Sequence, residues 1–308
     1  MIIAHTWFIF NNIAIQSFVF VKIEVKKLAA PRNKKSFEDF MEELNIYHEF
    51  LSECVNNDNN ADLIEMMNSF RDFLKKACII SNGYFDLFEQ FIQNPKYLEF
   101  RDFFMFCEAY HERLIEIKEK ESLVNKKIDI SSFEKSLTLE YNKKFYQDIL
   151  TEFKSLQEYM SATKKFVMVG CGSFPITLFS IAQKYQHIQS TGIDISLEAI
   201  INAKELKNKL KYSKITFDII DGANFNYRDY DTIFIANLVI PKTEVLKRIA
   251  TTCKPGTIIF MRVPVLYGNL LSEDVNYVSM NCFELIDSIE PSDMTDDILY
   301  KIIVLKKI

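Results

Sequence analysis

From residue 36 to about 160, apolar side chains recur every three or four positions, beginning with Phe37, Phe40, Met41 and Leu44. That spacing builds the buried stripe of an amphipathic helix. It predicts a first helix opening at Ser36, with Asp39 three residues later completing a cap, and further helices over Ala61–Ile80, Tyr84–Gln93, Lys96–Glu121 and Ser132–Met160. Gly83, Pro95 and Asp129-Ile130-Ser131 are the breaks between them. After Ser161 the pattern changes to short apolar runs alternating with amphipathic helices. The runs are Phe166–Gly170, Ser190–Asp194, Ile215–Ile220, Thr232–Ala236, Thr257–Val263, Cys282–Ile289 and Leu299–Leu305, with helices near Pro175–Tyr185, Leu197–Leu210 and Lys242–Cys253. Strands that read as continuous apolar runs are buried on both faces, so the expectation is an α/β fold. It would be a Rossmann-like, seven-stranded mixed sheet of the class I methyltransferase type over 161–308, preceded by an all-α helical cap or bundle over 36–160.

Residues 1–35 read differently. Met1–Val21 is apolar, but His5, Asn11, Asn12 and Gln16 interrupt it and no basic segment precedes it, so neither a membrane span nor a signal segment is expected. Phe18–Val25 alternates in its second half like an edge strand, and Pro31–Lys35 reads as a linker. The segment is taken as a leader ahead of the folded part.

Composition narrows the chemistry. The 308 residues are 48% hydrophobic and 26% charged, which suits one or two globular cores. A net charge of −5 offers no basic field to a phosphate backbone, so no nucleic-acid partner is expected. The six cysteines contain no C-x-x-C pair and share no zinc-type spacing with the four histidines. No metal is therefore expected, the thiols read as those of a cytoplasmic protein, and acid-base work falls to carboxylates, tyrosines or a cofactor.

Glycine is scarce, at 7 residues, about 2% against roughly 7% in ordinary proteins, so each one marks a place where a side chain would not fit. Gly170 and Gly172 close the first strand in Val167-Met168-Val169-Gly170-Cys171-Gly172-Ser173-Phe174-Pro175, a strand, a tight turn and a helix opened by proline. In open α/β sheets this is where nucleotides meet backbone. Asp194 ends the second strand 24 residues after Gly170, at the distance of a ribose-binding acid; its competing reading is a helix cap for Ser196 onward. Asp221-Gly222-Ala223 ends the third strand, where this fold contacts adenine. Dinucleotide folds want a small residue where Pro175 stands, because the helix must pass under a pyrophosphate. S-adenosylmethionine has no pyrophosphate, and it is the expected cofactor, acting as donor substrate.

From Glu108 to Val275 the chain resembles the nicotianamine synthases and the related bacterial opine-metallophore synthases. Gly170-Cys171-Gly172-Ser173-Phe174-Pro175-Ile176-Thr177 is similar to that family's glycine loop, proline and threonine included. Asp229–Val239 resembles its fourth strand, with Asn237 at a position that is usually small, and Lys254–Arg262 its fifth, ending in arginine. Val263-Pro264-Val265-Leu266-Tyr267-Gly268-Asn269 departs from the plant pattern in lacking a histidine and a second arginine.

The resemblance implies transfer of the 3-amino-3-carboxypropyl group to an amine, with release of methylthioadenosine. It implies cofactor contacts at Gly170, Gly172, Ser173, Pro175, Asp194, Asp221, Gly222 and Asn237, and a substrate contact at Arg262. It also places a catalytic glutamate among Glu108, Glu112 and Glu116, which recur every four residues, and an aromatic at Leu139-Glu140-Tyr141-Asn142; Glu112 and Tyr141 are the expected pair. Each has a plainer reading: a solvated glutamate face, a core-edge tyrosine, an arginine at a sheet edge. The expected acceptor is a small-molecule amino acid or amine, and a homodimer is left open. Two other functions fit the same fold, a small-molecule methyltransferase releasing S-adenosylhomocysteine and a non-catalytic binding module.

Overall fold

The computed structural model describes residues 37–79, 85–124, 137, 139–275, 281–289 and 299–308. The expected leader, edge strand and linker in 1–35, the cap at Ser36 and the breaks at Gly83 and 129–131 lie outside the described residues, as does the side chain of Tyr141.

In the helical half, α1 (Phe37–Asn56), α2 (Asn60–Ile79), α3 (Phe85–Ile92) and α4 (Tyr97–Val124) follow the predicted order. Helix α1 buries Phe40, Leu44, Tyr47, Leu51 and Cys54, steps of four and three that keep one stripe inward. They meet Leu63, Met67 and Phe70 of α2 and Phe100, Phe104 and Cys107 of α4 in one aromatic-rich core. The expected helix Ser132–Met160 is two helices where it is described, α5 (Glu140–Ser155) and α6 (Gln157–Ser161), meeting at Leu156, whose N–H turns back to the Glu152 and Lys154 carbonyls.

The sheet runs β3-β2-β1-β4-β5-β7-β6, with β1 (Lys165–Val169), β2 (Gln189–Asp194), β3 (Ile215–Ile219), β4 (Thr232–Ile235) and β5 (Ile258–Pro264) parallel. β7 (Tyr300–Lys307) runs antiparallel between β5 and β6 (Phe283–Ile289), as the class I methyltransferase pattern requires. Strand β1 sends Phe166 and Met168 to one face and Val167 and Val169 to the other. The first face is covered by α5, α7 (Ile176–Lys184) and α8 (Leu197–Lys209), the second by α9 (Lys242–Thr252). After β5 the chain makes a 3-10 turn, Leu266–Leu270, whose Tyr267 and Leu270 join the core of α1, α2 and α4. Through that turn the helical half packs against the carboxyl end of the sheet.

Strand order reverses between β1 and β4, with Val169 paired to Ile193 on one side and Ile235 on the other. The splayed chains leaving β1 and β4 open a crevice there, the usual ligand site of an open α/β sheet.

Candidate active site

The glycine loop forms one wall of that crevice. Gly170 and Gly172 have φ of +74° and +70°, backbone that side chains rarely adopt. The Gly170 and Cys171 N–H groups donate to the Ile193 carbonyl at 2.9 and 3.1 Å, pinning the loop to the end of β2. Asp194 completes the pin: Oδ2 accepts the Gly172 N–H at 3.0 Å and Oδ1 the Ser196 N–H at 2.9 Å. Asp194 therefore orders the loop and the approach to α8 at once. The helix cap itself is Ser196, whose hydroxyl accepts the Ala199 N–H at 3.2 Å. Pro175 is buried and caps α7 rather than opening its first turn, since its ψ of 62° lies outside the helical range.

The loop's other neighbour comes from the helical half. Glu116 on α4 accepts the Ser173 N–H through Oε2 at 2.8 Å, and its Oε1 lies 2.2 Å from where a Cβ on Gly172 would sit. The residue keeps some exposed surface while its carboxyl is deeply desolvated, which describes a group at the bottom of a cleft. Burial pushes its pKa up to about 8; the Ser173 and Phe174 N–H groups pull against that, and Glu112 and Asp194 push with it.

The three glutamates therefore do different things. Four residues overshoot a helical turn by about 40°, so a run of eight turns the side chain by roughly 80°. Glu108 is buried against Arg71 of α2, and Glu112 lies 3.3 Å from the same Arg71 Nη1 with a quarter of its side chain exposed. Only Glu116 reaches the glycine loop. Tyr141 is the second residue of α5, and the start of that helix is held by Glu119, also on α4, whose Oε2 accepts the Leu139 N–H at 2.9 Å and the Asn142 amide at 3.0 Å.

Opposite the loop, Asn237 follows β4, and its Oδ1 is buried without a hydrogen-bond partner among the described residues. An unpaired buried amide oxygen costs about 1–3 kcal/mol and suits a ligand that donates to it. A positive-φ cradle, an acid at the end of β2 and this oxygen fit a nucleoside carrying an exocyclic amine. Asp221 is exposed and accepts the Ala223 N–H at 2.8 Å, while Gly222 is buried. A Cβ at Gly222 would lie 2.6 Å from Val169 Cγ1, so that glycine lets its loop close on β1. Arg262, two residues before the end of β5, is buried and ion-paired with Glu152 of α5, with its guanidinium 5.2 and 5.1 Å from the Phe145 and Phe234 rings.

A sequence profile described as "Nicotianamine synthase protein" matches residues 41–308, well beyond the Glu108–Val275 segment whose motifs carry the resemblance. The chain belongs to the nicotianamine synthase family. It is an S-adenosylmethionine-dependent transferase of that family. No curated protein matches it. Among solved structures, it is similar to MtNAS in complex with MTA and tNA, at 13% identity and a TM-score of 0.70, over 87% of this chain and 98% of that one. A glutamate-to-glutamine mutant of MtNAS in complex with S-adenosylmethionine gives 11% identity and a TM-score of 0.69 over the same shares. At those identities the likeness establishes the fold of the nicotianamine synthase half-pair, helices and sheet together.

Proposed function

We propose that this nicotianamine synthase relative binds S-adenosylmethionine between the glycine loop and Asn237, and moves its aminocarboxypropyl group to the amine of a small amino-acid acceptor. The observation that carries this reading is the seat of Glu116, a proton-accepting group held against the loop that faces the donor. That MtNAS binds S-adenosylmethionine, and is known with MTA and tNA, supports it.

S-adenosylmethionine supplies a sulfonium-activated carbon and methylthioadenosine as leaving group. The acceptor nitrogen bonds to that carbon as the carbon–sulfur bond breaks, its electron pair passing to sulfur, and the proton lost from nitrogen goes to Glu116. In its ionised form, a carboxyl with a pKa near 8 is a stronger base toward an amine than one near 4.5. Asp194 orients the loop and takes the ribose hydroxyls, Asn237 takes a donor from the base, and Gly170 and Gly172 give the room. Tyr141, at the mouth of α5, is assigned to orienting the acceptor. Glu112 is assigned with Arg71 to holding α4 in place. The product would carry several amine and carboxylate groups, the donor set of a metallophore, and the buried free thiols Cys54, Cys107, Cys171 and Cys253 suit a cytoplasmic setting.

The test is isotopic. Donor labelled in its carboxyl carbon should pass label to the acceptor, and donor labelled in its methyl group should not. Label transfer from the methyl carbon alone would overturn the reading.

A further inference from the structure

Helix α4 carries Glu116, and α8 begins beside Asp194, so the relation between these two helices sets the distance between the glutamate and the loop. Three side-chain contacts join them. Arg113 pairs with Glu198 at 2.5 Å, Lys120 pairs with Glu205 at 2.5 Å, and the Lys209 ammonium donates to the Val124 carbonyl. All three have the same sequence separation, 85 residues. A constant offset means that the helices run in the same direction in one register, and positions at zero, seven and eleven residues return to one face of each.

Glu116 lies on that same stripe of α4, three residues after Arg113 and four before Lys120. Between Glu198 and Glu205 on α8 lies Asn202, whose amide reaches the Ser173 hydroxyl at 3.5 Å, next to the N–H that Glu116 holds. The contacts close a circuit: Glu116 to Ser173, Gly172 to Asp194, Asp194 to the start of α8, and α8 back to α4 through the ladder. The rungs differ in exposure. Arg113 and Glu198 are half exposed, whereas the Lys120 side chain is 17% exposed, so its charge is screened less and its loss is felt more.

We propose that the α4–α8 ladder, through Lys120 and Glu205 above all, is the positioning device that holds Glu116 at the glycine loop; this rests on the reading of Glu116 as the proton acceptor. Lys120 and Glu205 are positioning residues, acting on the reaction through Glu116 alone. The register also explains why a helix from the other half of the chain can deliver a carboxylate to the loop: the two rungs bracket it by about one turn on each side.

Charge reversal tests it in the full chain. Lys120→Glu and Glu205→Lys each place like charges together and should lower turnover about fivefold or more, a penalty of the size expected for a lost and reversed pair. Each should also shift the pH profile of turnover, because a displaced Glu116 sits in a different field. The double swap, with both substitutions, should restore turnover to within about twofold and return the pH profile. If the single variants melt early, Lys120→Arg keeps the rung and should behave as the parent. Single variants with parental turnover and pH profile, or a double swap without rescue, overturn the ladder. Glu116→Gln run in parallel separates the two claims: an inactive Glu116→Gln beside unaffected rung variants removes the ladder alone, and an active Glu116→Gln removes the proton acceptor and the ladder with it.

Discussion

The carboxylate of Glu116 accepts the Ser173 N–H at 2.8 Å across the join between the helical half and the sheet. That contact makes the candidate site a property of both halves, since α4 brings the carboxylate and the turn after β1 brings the N–H donor. Glu116→Gln keeps an oxygen for the Ser173 N–H and removes the base. Turnover should fall by about a hundredfold or more while S-adenosylmethionine affinity changes little. Glu112→Gln should cost stability through Arg71 and leave most of the turnover. Steady-state rates with calorimetric affinities separate the two glutamates, and the reverse pattern would move the base one helical turn.

Gly172 is constrained from two directions. Its φ is +70°, and an added Cβ would stand 2.2 Å from Glu116 Oε1. Gly172→Ala should therefore cost about 1–2 kcal/mol from backbone strain alone and also push Glu116 off the loop. Turnover should be lost well before the fold, which circular dichroism and rates measured on one preparation will show.

Asp194 holds two backbone N–H groups, so Asp194→Ala frees the loop and removes the acid proposed to take the ribose hydroxyls. Donor affinity should weaken by about 1.5–3 kcal/mol. Asp194→Asn, which keeps one acceptor oxygen, should lose less. Equal affinity in all three proteins by calorimetry would take Asp194 out of the donor site.

The raised pKa of Glu116 has a sign that stability can read. Its folded value of about 8 lies above the 4.5 of the free group, so between those values the folded state holds a proton that the unfolded state has lost. Stability then falls as pH rises through that window, by at most about 1.4 kcal/mol per pH unit, and levels off above it. Glu116→Gln removes this contribution, so the variant should gain on the parent from about pH 5 to 8 and hold a constant lead beyond. Parallel melting curves across that range would contradict the buried, protonated carboxyl.

Arg262 separates a substrate contact from a structural one. Buried with Glu152 and within 5.2 Å of the Phe145 and Phe234 ring centroids, it leaves an uncompensated carboxylate if removed. Arg262→Ala should cost about 3–5 kcal/mol, with part of it recovered when Glu152 is also made neutral. Denaturant unfolding of the single and double variants checks this.

The sheet was legible because its central strands are buried on both faces. Val167-Met168-Val169 and Ile233-Phe234-Ile235 are unbroken apolar runs rich in β-branched residues, in segments too short for a helix. The places of Asp194 at the end of β2 and of the two loop glycines after β1 were legible by spacing from the first strand. The choice among Glu108, Glu112 and Glu116 was not, because a four-residue repeat on a 3.6-residue helix spreads its members around the axis, and only the packing of α4 says which one faces the loop. The Glu152 partner of Arg262 lies 110 residues away, and no local pattern announces a pair of that separation. The junction at Leu156 was missed for a similar reason: Ser155 to Gln157 carries no glycine or proline to mark a break.

The nucleoside left after reaction tests the central claim most directly. Incubated with S-adenosylmethionine and amino-acid acceptors, the protein should release methylthioadenosine in step with a new amine-linked aminocarboxypropyl group, and Glu116→Gln should release almost none. Accumulation of S-adenosylhomocysteine with a methylated acceptor would contradict aminocarboxypropyl transfer and assign the site to methyl transfer.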